Sequence, residues 1–120
     1  MRDYTKLKAF ALADQLGLDV YKGTAGFPRN EQFGLTSQLR RAAVSGAANI
    51  VEGSSRNTEA DYLHFLDMSF GSIREVDYEL SLAYRLDFIT EQIYRPLTIL
   101  AVAAAKVLGA VIRSLRTPRY

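Results

Sequence analysis

Gln38–Gly53, QLRRAAVSGAANIVEG, is the stretch on which the reading of the fold turns. Its alanines favour helix, and Leu39, Ala42, Ala43, Gly46 and Ile50 recur on one side of that helix with Leu35 just upstream. A second side is polar. Arg41, Ser45 and Asn49 lie four apart and Glu52 three further on, so they align along one face, with Gln38 extending the file. Three kinds of surface could carry such a file: a catalytic groove, an RNA-binding strip, or a polar seam between packed helices.

Outward from this stretch the chain reads as helix throughout. Upstream, AGFP breaks an amphipathic segment over residues 4–24, where Leu7, Phe10, Ala13, Leu16, Val20 and Tyr21 form the apolar stripe. Pro28 and Asn30 introduce the second helix, residues 31–53, and Gly53 is its stop. Thr58, with Asp61 three residues on, is a capping sequence for a third helix over 59–85. Its inward residues are Tyr62, Leu66, Phe70, Ile73, Val76, Leu80 and Ala83. LDFI turns the chain again, and Thr90 caps a fourth helix over 90–115 with Ile93, Leu97, Leu100, Ala104, Leu108, Val111 and Leu115 as its stripe. Pro96 lies where that helix either starts or bends. No segment alternates as a strand does. Four amphipathic helices with short connections predict an all-α, antiparallel up-down four-helix bundle, with residues 1–120 as a single domain.

The 120 residues contain no cysteine and a single histidine, His64. Disulfides, thiolate nucleophiles and cysteine-ligated metals are thereby excluded, and no catalytic, metal or cofactor site is expected. Asp61-x-x-His64 lacks the second histidine that a di-iron bundle needs. YKGTAG lacks the Gly-Lys-Ser/Thr ending of a phosphate loop. Glu52, Glu75 and Glu79 could approach one another between the second and third helices. Arg41 and Arg74 offer them ion-pair partners, so a structural seam of Arg41, Ser45, Asn49, Glu52, Ser72 and Glu75 is preferred to an acid–base pair.

Charge is uneven along the chain. Residues 96–120 carry four basic side chains and no acidic one, whereas residues 61–95 carry three basic and seven acidic. Arg40, Arg113, Arg116 and Arg119 are candidate phosphate contacts, with Lys106 ranked below them for its apolar neighbours. The apolar run 96–112 is just short of a membrane span and has Lys106 inside it, so a buried bundle helix is expected, with no membrane partner. The N-terminus has no secretory signal pattern, which together with the absent cysteines points to the cytoplasm. Mid-helix Gly17, Gly46, Gly71 and Gly109 mark expected close approaches. Surplus apolar residues such as Phe65, Met68, Ile99 and Val102 point to a homo-oligomer.

FPRNEQFGLTSQLRRAAVSGAANIVEG (residues 27–53), followed by FLDMSFGSIREVDYEL (residues 65–80), resembles the four-helix-bundle proteins encoded in intervening sequences of bacterial 23S ribosomal RNA genes. Leu-Thr-x-Gln-Leu-Arg-Arg-Ala-Ala, Asn-Ile-x-Glu-Gly and Gly-Ser-x-x-Glu carry the resemblance, in that order and over nearly the whole chain. Where that family often has Ser-Ile-Pro, this chain has Ser45, Gly46 and Ala47. The resemblance implies a homopentameric bundle with a poorly defined cellular role. More distantly, the chain is similar to the accessory proteins of diversity-generating retroelements, which implies RNA or DNA, or a nucleic-acid-processing enzyme, as partner. A protein-interaction scaffold without nucleic-acid affinity is the alternative.

Overall fold

The computed structural model describes residues 2–118, and over them the chain forms four long helices: α1 (Lys8–Gly23), α2 (Leu35–Ser54), α3 (Glu59–Arg85) and α4 (Glu91–Arg116). No strand occurs among the described residues. Each helix packs on its neighbours in the chain, and α4 closes the square against α1. The result is an up-down bundle of 52 × 22 × 19 Å. The N-terminus of α1, the α2–α3 turn and the C-terminus of α4 consequently share one end.

Local chemistry sets the boundaries. Thr58 caps α3 by accepting from the Asp61 N–H at 3.1 Å, so α3 begins where its capping sequence predicts. The first helix starts later than residue 4. Asp3 accepts from the Thr5 N–H and nucleates a separate 3-10 turn over Tyr4–Lys6, and Leu7 is extended. The second helix also starts later than residue 31, because Arg29–Glu31 is a 3-10 turn and Gly34 leaves helical geometry. Glu31 then caps α2 by accepting from the Leu35 N–H at 3.1 Å. Pro96 lies inside α4, five residues past its start. Its missing N–H frees only the carbonyl of Gln92, an exposed residue that water can satisfy.

The core is built from the predicted stripes, with Leu16, Leu39, Ile50, Leu66, Ile73, Leu80 and Leu108 almost wholly buried. Tyr21 and Ile93 depart from their stripes and stay 46% and 41% exposed. α4 is long and apolar enough to cross a membrane by length and composition, yet Leu97, Ala101, Ala104, Leu108 and Ile112 are buried within the bundle.

Of the four mid-helix glycines, Gly109 meets the expected close approach, with Phe70 Cε2 3.4 Å from a Cβ placed on it, and Gly46 meets it more tightly. A Cβ there would lie 3.1 Å from Ile73 Cγ1. The buried Ser69 hydroxyl donates to the Gly46 carbonyl at the same place, so α2 and α3 are both stitched and close-packed at Gly46. Gly71 is a correction, since a Cβ there would have nothing within 4 Å.

Candidate nucleic-acid interface

Two surfaces bear on function, and α3 contributes to both. Towards α2 it presents Ser72, Glu75 and Glu79, and towards α4 it presents Phe70, Arg74 and Asp77.

The α2–α3 surface contains the polar file. Ser45 Oγ and Ser72 Oγ share a hydrogen bond of 2.9 Å across the helices. Asn49 Nδ2 donates to Ser45 Oγ at 2.8 Å and to the Ser45 carbonyl at 2.9 Å. The charged members behave otherwise than the sequence predicts. Glu52 pairs with Arg56 one turn on along the chain, not with Arg41 or Arg74. Among the described residues no ion pair joins α2 to α3. Arg41 and Glu75 are exposed and, with Gln38, Ser45 and Ser72, line a groove of about 250 Å³. The contact is therefore bridged by hydroxyls, with the Asn49 amide steadying Ser45 from the same helix, and the charges stay in water, where an exposed pair would contribute little.

Glu79 is the exception, being 5% exposed with Oε1 lacking a hydrogen-bond partner among the described residues. Burial pushes its carboxyl up to about 7; the nearby Glu75 carboxyl acts in the same direction and Arg41 against it. A catalytic dyad of Glu52 and Glu75 is not assembled, since Glu52 lies outside the groove. His64 is exposed and set edge-on to Phe65. Among the described residues no three His, Asp or Glu side chains converge as metal ligands.

The α3–α4 surface is a groove of about 280 Å³ with Phe70, Ala101, Val102, Ala105 and Gly109 at its apolar wall and Arg74, Lys106 and Arg113 around it. Asp77 is its one acidic side chain, and its Oδ1 already accepts from the Thr98 hydroxyl at 2.6 Å. Among the described residues none of the three cations is held in an ion pair or side-chain hydrogen bond.

The sequence-predicted phosphate contacts separate sharply. Arg113 lies in this groove. Arg116 is held bidentately by Asp67, which offsets its charge. Arg40 is drawn to the end of α1, where Nε donates to Thr24 Oγ1 at 2.9 Å, Nη2 donates to the Tyr21 carbonyl at 3.3 Å, and the guanidinium stacks 4.6 Å over Tyr21. Arg119 lies outside the described residues. Lys106, ranked below these arginines from the sequence, lies in the same groove as Arg113, and Arg74, expected to pair with a glutamate on the α2 side, faces α4 instead. The usable signal was spacing, because Lys106 and Arg113 are seven apart and share a side of α4.

The fold and site thus define an all-helical bundle with one polar groove, one basic groove and no assembled catalytic group among the described residues. The sequence pattern of the 23S rRNA-intervening sequence protein family matches residues 5–110, and the chain belongs to that family. Among solved structures it is similar to a protein of unknown function from the S23 ribosomal protein family of Bacteroides thetaiotaomicron VPI-5482. The two are 21% identical, over 88% of this chain and 95% of that one, with a TM-score of 0.80. That likeness concerns the fold. Curated proteins offer no match.

Proposed function

We propose that the chain is a non-enzymatic, self-assembling bundle that binds nucleic acid, RNA in the first place, through the α3–α4 groove. The observation that carries this reading is the trio Arg74, Lys106 and Arg113, gathered around one groove with no ion-pair partner among the described residues. Phosphate contacts of this kind give affinity without reading bases, and Phe70 and Val102 add an apolar wall. The chain's family, named for the 23S rRNA gene insertions that encode it, supports RNA as the first probe.

Self-assembly is supported by a separate strip. Ile99 is 62% exposed on α4, on the same side as Pro96, Ala103 and Ala110, and Leu18 and Val44 are exposed on the α1–α2 side. Two apolar faces on different sides of one bundle suit a head-to-tail ring, for which a pentamer is the proposed size. If only this strip is functional, the protein is a scaffold, cytoplasmic in either case.

The test is a charge-removing variant, Arg74→Gln with Lys106→Gln and Arg113→Gln. These side chains are exposed, so the variant should keep its fold. Its binding to a structured RNA should weaken, and its salt slope should flatten by about 2–3, near 0.7–0.9 per lost contact. Equal affinity and equal slope would remove the groove from the interface.

A further inference from the structure

The α2–α3 turn holds a second cluster of donors, distinct from the basic groove. Arg2 is brought there by the N-terminal segment, whose backbone N–H at Arg2 donates to the Ser54 carbonyl at 3.3 Å. The Arg2 guanidinium lies 4.1 Å over the Tyr62 ring and its Nη1 donates to the Arg56 carbonyl at 3.3 Å. Arg56 lies 4.6 Å over the Phe65 ring. Both cations are thus held by π faces at the base of α3, and cation–π stacking orients them without neutralising them.

Arg2, Ser55, Arg56 and Asn57 line an open hollow of about 640 Å³ at this turn. Glu52 binds Arg56 Nη2, while the buried Arg56 Nε–H has no acceptor among the described residues. One carboxylate therefore answers two guanidinium groups. Ser55 already donates its hydroxyl to the Glu52 carbonyl at 2.8 Å, leaving its lone pairs and the exposed Asn57 amide at the rim. Glu59 and Asp61, on the first turn of α3, do not line the hollow.

The geometry points to a phosphate-binding site at this turn, in which Arg2 and Arg56 clamp the oxyanion and Asn57 donates from the rim. Beyond their bonds to Glu52 and to the Arg56 carbonyl, the two guanidinium groups lining this hollow keep further N–H donors, which match the several acceptor oxygens of a phosphate better than a point charge such as lysine would. The phosphate belongs either to a free monoester or to a nucleic-acid backbone. The backbone alternative would extend the bound strand to the bundle end that also carries the C-terminus of α4.

Calorimetric titration of the full chain at low salt tests this with three probes: inorganic phosphate, a nucleoside monophosphate, and a short single strand lacking terminal phosphates. Wild type is expected to bind at least one of them saturably. Asn57→Asp puts a like charge at the rim without touching packing and should weaken that binding by about tenfold or more. Arg2→Gln should weaken it too, and the triple groove variant should leave phosphate and monophosphate binding unchanged. Binding of the monophosphate alone identifies a small-ligand site, whereas binding of the unphosphorylated strand that survives in the triple groove variant and is weakened by Arg2→Gln identifies a backbone contact at this turn. No saturable binding of any probe, or binding indifferent to both Asn57→Asp and Arg2→Gln, would overturn the assignment.

Discussion

Replacing Glu79 by glutamine should stabilise the bundle above neutral pH and do little in acid. The carboxyl is buried, and its folded-state pKa is about 7 against 4.5 unperturbed. Because the folded value is the higher one, the native state binds more protons than the unfolded state between those two values. Stability attributable to this group is therefore intact below about 4.5, falls as pH rises through 7, and is constant beyond. At 1.36 kcal/mol per unit the full shift corresponds to about 3 kcal/mol, and sharing with Glu75 and Arg41 reduces the expected effect to about 1–3 kcal/mol. Glutamine resembles the protonated carboxyl in shape and charge, so Glu79→Gln should gain that amount at pH 8 and almost nothing near pH 4.5. The assay is urea unfolding followed by circular dichroism across this range, at one protein concentration so that oligomerisation is held constant. Glu75→Gln should narrow the pH-dependent window, since it removes a neighbour that raises the Glu79 value. A difference between wild type and Glu79→Gln that does not change with pH would refute the reasoning.

Glycine substitutions separate close contact from mere helix position. Gly53→Ala places a Cβ 2.8 Å from Phe65 Cβ and should lower stability by about 1–3 kcal/mol, whereas Gly71→Ala meets nothing and should raise it by up to about 1 kcal/mol, both read by chemical denaturation. Ser45→Ala and Ser72→Ala should each cost about 0.5–1.5 kcal/mol, with the double variant costing less than their sum because they share one hydrogen bond. Ile99→Asp should lower the mass seen by sedimentation while leaving helicity intact; an unchanged mass would take the α4 strip out of the assembly.

Helices whose ends are set by adjacent residues were the most legible. The Thr58 cap and the 3.6-residue stripe placed α3 at Glu59–Arg85, and the stripes of all four helices predicted the bundle. The start of α2 was misplaced because Glu31 acts as the capping acceptor of a later helix, and Gly34, reached in a non-helical conformation, separates the two. Side-chain pairing was harder to read than backbone. Arg41, Glu52 and Glu75 share the appearance of an interhelical ion network, yet Arg56 lies one turn from Glu52 and captures it at lower entropic cost. The basic groove was hidden for a geometric reason. Arg74 and Lys106 are 32 positions apart, and only the α3–α4 contact shows that they flank the same surface.

Backbone binding by the α3–α4 groove, as proposed, requires nucleic-acid affinity that a fluorescence-anisotropy titration of nuclease-treated wild-type protein would measure. A structured RNA and a duplex DNA would each be titrated at low and near-physiological salt. The account predicts micromolar or tighter RNA binding, with log affinity falling against log salt at a slope of about −2 or steeper. Flat titrations for both probes at both salts would contradict it.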